Sequence, residues 1–167
     1  KSRVELFGRP HFIIRSFFVQ NYTDTLTDEK RMIAAYWDCN PFAVQDNGHL
    51  LVGLKKISPG AHWLSIPGAA CRQKDKSFDE TLQVLTTVSI GLLDGFISCW
   101  DEKYRSNRIR PETAIRNAID PTWTPLLQTP PFPEYLSGHS TISAASATIL
   151  THFFGENFKF TDSTEMR

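Results

Sequence analysis

The sequence has no excess charge of either sign, because 18 Lys and Arg residues balance 18 Asp and Glu residues over 167 positions. This balance gives no electrostatic case for a nucleic-acid partner. Cysteine is also scarce: Cys39, Cys71 and Cys99 are widely spaced and form no Cys-x-x-Cys pair. Such an odd and scattered set predicts neither a disulfide framework nor a zinc site.

The sequence also lacks a long uninterrupted hydrophobic run. The longest apolar tract, residues 82–100, is broken by several polar residues, namely Gln83, Thr86, Thr87, Ser89, Asp94 and Ser98. A membrane-spanning helix needs about 20 predominantly apolar residues in succession. We therefore expect this tract to form a buried helix and not a membrane span.

The first 75 residues predict short elements joined by connectors. Residues 1–23 favour a strand by propensity, with a packed helix as the alternative. Thr27 should cap a helix that runs to about Asp38. We expect its apolar side chains to face inward, namely Met32, Ile33, Tyr36 and Trp37. A connector over 41–59 precedes two short helical pieces, 61–65 and 69–74, which Pro67-Gly68 should separate.

A long helix begins with a capping box at Ser77 and Glu80. The apolar stripe predicted for its buried face consists of Leu82, Leu85, Ser89, Leu92, Phe96 and Trp100. Lys103 continues this stripe, and a lysine at the end of a buried face should either extend to solvent or meet an anion.

Residues 103–110 hold four cations, and Pro111 then opens another helix. By itself, such a cluster is typical of a solvated helix end. Residues 120–136 form a long proline-rich loop, and loops of that length within a compact domain are usually functional.

Ser137-Gly138-His139 stands at the start of a second major helix, 138–154. One face of that helix is spaced at three and four residues, with Ile142, Ala145, Ser146, Ile149 and Phe153. The first N–H groups of a helix have no internal partner and favour anions. In the alternative interpretation Ser137 is only an N-cap and His139 an ordinary surface histidine.

Two motifs, Lys103-x6-Arg110-Pro111 and Ser137-Gly138-His139, together resemble a known superfamily. It comprises type 2 phosphatidic acid phosphatases, bacterial non-specific acid phosphatases and vanadium-dependent haloperoxidases. The resemblance covers about residues 81–155, and the flanking tract Phe132-Pro133-Glu134-Tyr135 is closest to the soluble haloperoxidase-like bacterial branch.

Two departures from the family pattern stand out. Leu136 replaces the proline that the family has before Ser-Gly-His. The third family motif, which supplies a second arginine and a histidine nucleophile or vanadate ligand, is not found after His139. His152 cannot replace that histidine, because it lies roughly 20 Å along the helix from His139 at 1.5 Å per residue. We expect the chain to be truncated before that motif, or a partner chain to supply it.

The resemblance implies an all-α helical bundle, incomplete at its C-terminus, with an oxyanion site. In that site Lys103 and Arg110 would neutralise a phosphate or vanadate, Ser137 and the Gly138 N–H would complete the cradle, and His139 would act as general acid or acid–base. No metal cation is implied. The main functional hypothesis is phosphomonoester hydrolysis through phosphohistidine in the intact protein, which needs no cofactor. The alternatives are a haloperoxidase that uses vanadate and a non-catalytic oxyanion-binding module.

We predict one domain over residues 1–167, with helices and connectors in 1–75 and a core in 77–155 that carries both motifs. The small-molecule partner would be a phosphoester, or a halide with peroxide. The 167-residue chain alone is predicted to be inactive. An exported location is only what the resemblance suggests.

Overall fold

The computed structural model describes residues 10–38, 44–46, 51–53 and 57–162. These residues form six helices and two short antiparallel strands: α1 (Pro10–Asp24), α2 (Asp28–Trp37), β1 (Val44–Asp46), β2 (Leu51–Gly53), α3 (Pro59–Gln73), α4 (Phe78–Ser106), α5 (Pro111–Ala118) and α6 (Gly138–Phe154). The all-α expectation is confirmed, with α4 and α6 at the centre of the bundle.

The N-terminal segment is helical, so the strand favoured by propensity is wrong for residues 10–24; residues 1–9 lie outside the described part. Helix α1 packs against α5 and buries Ser16. Such tertiary contacts routinely override the β-propensity of short aromatic and β-branched runs.

Helix α2 begins as predicted, with the Thr27 side chain accepting a hydrogen bond from the Lys30 N–H. The predicted inward face is wrong, because α2 has no buried residue. Its large apolar side chains are instead 50–67% exposed: Met32, Ile33, Tyr36 and Trp37.

Helix α3 is continuous through Pro67, whereas two pieces separated at that proline were expected. A proline inside a helix removes one backbone hydrogen bond and clashes with the preceding turn. Pro67 itself is buried, next to Ile66 and close to Ala70 and Cys71. The packing of this face against the rest of the bundle offsets the lost bond.

Helix α4 begins with the predicted capping box, in which Ser77 and Glu80 exchange side-chain and backbone hydrogen bonds. Lys76 and the Ser77 groups lower the pKa of the exposed Glu80 carboxyl to about 2. The helix ends at Asn107, which adopts the left-handed conformation with φ of 45°. A capped start and a left-handed end fix the limits of this 29-residue helix.

The buried face of α4 differs from the predicted stripe. It consists of Val84, Val88, Leu92, Cys99 and Lys103, whereas Leu82 is 52% and Phe96 36% exposed. Two glycines on this side let α6 approach closely. A Cβ at Gly91 would lie 2.4 Å from Ile149 Cδ1, and one at Gly95 would lie 3.8 Å from the Ala145 Cβ.

The predicted face of α6 is confirmed. Ile142 and Ser146 are buried, and Ala145, Ile149 and Phe153 are partly buried. The central core joins three helices: Ile66 and Cys71 of α3, Val84, Val88 and Leu92 of α4, and Ile142 and Leu150 of α6. This core holds α4 and α6 in fixed relative positions.

The stretch Phe78–Ala118 has the length and apolar composition of a helix that could cross a membrane. Its most apolar segment has a mean hydropathy of 1.5, and 22% of that segment is buried. Core helices of proteins outside membranes pass the same test, so this is weak support for a span. The stretch includes both α4 and α5, which are separated by a break at residues 107–110.

The close contact between α4 and α6 can be tested at Gly91. Gly91→Leu should lower the free energy of unfolding by about 1–3 kcal/mol, because an overpacked side chain must push Ile149 and α6 away. Chemical denaturation of the two proteins measures this difference. Gly91→Ala is the control, because its Cβ meets only the flexible Cδ1 end of Ile149 and alanine favours the helix. Equal losses in both variants would contradict the packing argument.

Candidate oxyanion-binding site

Lys103 lies in the last turn of α4 and is only 1% exposed. Its ammonium does not reach solvent, and two of its three hydrogens bind backbone carbonyls. Nζ donates to the backbone oxygens of Pro133 and Glu134, each at 3.0 Å. Burial lowers the pKa of Lys103 from its ordinary value of 10.5, and the nearby Arg110 cation lowers it further, while Cys99 and Glu134 oppose this.

Arg110 holds the same loop from the other side. It is the N-cap residue of α5, with an extended backbone that Pro111 continues. Its Nε donates to the Phe132 oxygen at 2.8 Å and its Nη2 to the Pro133 oxygen at 3.4 Å. Burial lowers the pKa of Arg110, and Glu134 opposes the shift. Because a guanidinium carries five donors, these bonds use one edge of it, and the Nη1 side has further donors to offer.

The Phe132 ring lies beside both cations. Its centroid is 5.2 Å from Lys103 Nζ and 4.9 Å from Arg110 Cζ, within cation–π range. The Trp100 ring lies 5.1 Å from Phe132 and 5.7 Å from Lys103 Nζ. The two rings therefore shield the cations with apolar surface, which strengthens their electrostatic interactions.

A second set of contacts fixes the outer side of the loop. The Glu134 N–H donates to the Arg108 oxygen at 3.0 Å. The Arg108 guanidinium lies 4.2 Å from the centroid of the Tyr135 ring. Residues 103–110 and 132–136 thus run side by side, which links the first motif to the residues immediately before Ser137.

Ser137 is the N-cap of α6, and its Oγ accepts a hydrogen bond from the Ser140 N–H at 3.2 Å. As an acceptor in this bond, the hydroxyl keeps its own hydrogen for donation to a ligand. Gly138 is the first helical residue, and a Cβ there would lie 3.3 Å from the Trp100 ring. His139 is exposed in the first turn of α6. The anion-binding and catalytic roles of these residues remain predictions.

The structure therefore ties the first motif to the segment that precedes Ser137 through backbone carbonyls. Lys103 and Arg110 bind residues 132–134, which lie three to five positions before Ser137. The sequence analysis missed these carbonyl acceptors, as well as Cys99, whose thiol donates to the Leu136 oxygen at 3.6 Å. The run of prolines before Ser137 was the one available signal, because it predicts an extended backbone with outward carbonyls.

Two further histidines with described side chains, His62 and His152, have other contacts. His152 is exposed in the last turn of α6 and contacts Phe153. His62 pairs with Asp162 at 2.5 Å, and its neighbour Trp63 donates to Ser143 at 3.0 Å. Across residues 10–38, 44–46, 51–53 and 57–162, no group of three or more His, Cys, Asp or Glu side chains is placed to hold a metal ion.

Comparisons with known proteins show the family and the fold of this chain. Residues 83–167 match the family model described as the VCPO second helical-bundle domain. The structure is similar to that of a bacterial vanadium-dependent iodoperoxidase, with a TM-score of 0.77 and 47% sequence identity over 93% of this chain. The match covers 36% of that chain, so this sequence spans about a third of its relative's length. A search of curated protein sequences gave no match.

More than half of the chain matches one family model, and the fold of nearly all of it matches a solved relative of high identity. The chain therefore belongs to the vanadium haloperoxidase-like superfamily, and residues 83–167 belong to its second helical-bundle domain.

Proposed function

We propose that the protein containing this sequence is a vanadate-dependent haloperoxidase and that residues 103–139 contribute most of its oxyanion cradle. The observation that carries the proposal is the pair of cations, Lys103 and Arg110, anchored on the loop that leads into the amino end of α6. The 47% identity to an iodoperoxidase favours this activity over phosphomonoester hydrolysis, although the same donors suit a phosphate.

The donor set fits vanadate, which is a tetrahedral oxyanion of the size of phosphate. Lys103 has a third ammonium hydrogen beyond the two that bind carbonyls, and the Nη1 side of Arg110 can bind two oxygens at once. The Ser137 hydroxyl and the Gly138 N–H add neutral donors at the positive end of the α6 dipole. No acidic residue stands in the first turn of α6, so nothing there repels an anion.

When bound, vanadate would supply a Lewis-acidic centre that activates hydrogen peroxide for the oxidation of a halide. The residues of this chain would hold its negative charge with preorganised donors, which is worth more in a site shielded from water. Trp100 and Phe132 provide that shielding on the side of the cations. His139, in the first turn of α6, would accept a proton from peroxide on its imidazole ring and later return it. The resemblance implies one further histidine, and none of residues 1–167 is assigned that role.

The activity test uses the full-length protein after incubation with vanadate. We expect peroxide-dependent oxidation of iodide, which is lost when vanadate is omitted, and no turnover of p-nitrophenyl phosphate. His139→Ala should lower the oxidation rate by about 100-fold while vanadate still binds. Phosphate ester hydrolysis without halide oxidation would contradict the proposal in favour of the phosphatase, and neither reaction would favour a non-catalytic module.

Lys103 should both stabilise the loop and bind the anion. Lys103→Met removes one positive charge and two carbonyl contacts, so we expect a loss of about 1–3 kcal/mol in stability and at least a tenfold loss in vanadate affinity. Thermal unfolding and vanadate titration followed by vanadium NMR measure the two effects. Arg105→Met is the matched control, because Arg105 is exposed and its guanidinium pairs with Asp101 on the surface of α4. A similar loss of vanadate affinity in both variants would mean that Lys103 acts through the net charge of the protein and not through its position.

The lowered pKa of Lys103 predicts opposite pH dependences for stability and binding. Between the folded-state pKa and the unfolded value of 10.5, the unfolded chain binds more protons, so the contribution of Lys103 to stability rises with pH. Below that window the ammonium is charged in both states and its burial penalty is fully present. Anion binding needs the charged form and should therefore fall through the same window.

Phosphate titrations at increasing alkaline pH test this expectation in the wild type and in Lys103→Arg. The arginine stays protonated throughout, so its phosphate affinity should not decline with deprotonation at position 103. A decline of equal size in both proteins would assign the pH effect to another group.

A further inference from the structure

Helix α4 carries a second apolar stripe, which lies away from α3 and α6 except at Trp100, whose ring reaches Gly138. At 3.6 residues per turn, seven positions spaced three and four apart fall within an arc of about 80°. They are Leu82, Thr86, Ile90, Leu93, Ile97, Trp100 and Tyr104. Between residues 82 and 104 no charged residue falls in this arc. Five of the side chains are 52–60% exposed: Leu82, Ile90, Leu93, Ile97 and Tyr104. We call these seven positions the outer stripe.

The outer stripe makes α4 apolar on two sides. Its inner side already packs on α3 and α6, which are its partners within the described ranges. A helix that is apolar over most of its circumference is typical of the centre of a bundle, with neighbours on every apolar side. The spacing of three and four residues along the outer stripe is the one that another helix can pack against.

We propose that the outer stripe is an internal interface, covered by helices of the same polypeptide that lie outside residues 1–167. The solved iodoperoxidase relative supports this occupant, since this chain accounts for 36% of its length at 47% identity. The match to a helical-bundle domain also begins at residue 83, so α4 belongs to that bundle. This inference does not depend on which reaction the protein catalyses.

A lipid environment fits α4 less well than a protein partner does. A strip of polar residues runs along the helix beside the outer stripe, namely Gln83, Thr87, Asp94, Ser98 and Asp101. The exposed carboxylates Asp94 and Asp101 would be costly in hydrocarbon. The same polar residues would remain hydrated at the solvent-facing edge of a bundle.

Cysteine accessibility in the full-length protein tests the proposal. The variant L93C places a thiol in the middle of the outer stripe, and S98C places one on the polar strip as the matched control. The native thiols of Cys71 and Cys99 are buried, and the reaction of the unsubstituted protein is subtracted. We expect maleimide to react with L93C at least about tenfold more slowly than with S98C under native conditions, and equally fast in urea.

Each of the other occupants gives a distinct result. Equal labelling of L93C and S98C in the native protein would overturn the proposal, because the outer stripe would then face solvent. Protection that appears only as the protein concentration rises, with a doubled mass in light scattering, would assign the stripe to a second copy. Protection that appears only with phosphatidylcholine vesicles would assign it to a membrane. If L93C does not fold, I97C replaces it with the same control.

Discussion

The structure of the site depends on one buried interaction, the ammonium of Lys103 bound to two backbone carbonyls. An isolated charge of this kind would be too costly to bury, and the oxygens of Pro133 and Glu134 replace its lost water. Arg110 adds two more donors to the same short segment. Four donor contacts therefore tie the end of α4 and the start of α5 to the approach of α6. Since both cations are already anchored, an oxyanion would find them in place and would not have to order them.

The packing of α4 against α6, in the core of the bundle, positions the residues of this site. Gly91 and Gly95 allow α4 and α6 to lie close together, and the core around Val88 and Ile142 fixes their relation. Gly138 serves the same purpose at the site itself, because a larger residue there would meet Trp100. The close packing of α6 on α4 and of Trp100 on the start of α6 thus rests on the same residue type.

Local signals in the sequence located the helix starts well. Thr27 and Ser77 cap helices as expected, and Ser137 does so as the alternative interpretation had it, because a cap depends only on residues within one turn. Burial was harder to predict. Helix α4 has two apolar stripes, and the sequence alone does not say which one meets α6. Pro67 was taken as a break because the packing that compensates for it is not local.

The site was predicted as a set of side chains, and the structure adds the backbone that connects them. Lys103, Arg110 and Ser137 were found through their motif spacing and the family resemblance. The carbonyls of residues 132–134 were not, since every residue carries one and no sequence letter marks it. The anion hypothesis also explained the buried lysine by a ligand, whereas the structure shows two backbone carbonyls bound to two of its three ammonium hydrogens.

The left-handed conformation of Asn107 explains the spacing of the first motif. A residue with φ of 45° ends α4 abruptly, and Arg110 follows only three positions later. Asparagine and glycine tolerate this conformation best. An insertion or deletion within residues 107–109 would swing the guanidinium away from Phe132 while leaving both helices intact. The interval of seven residues between the two cations thus reflects one tight break between α4 and α5, and divergent sequences should vary the helices more freely than that interval.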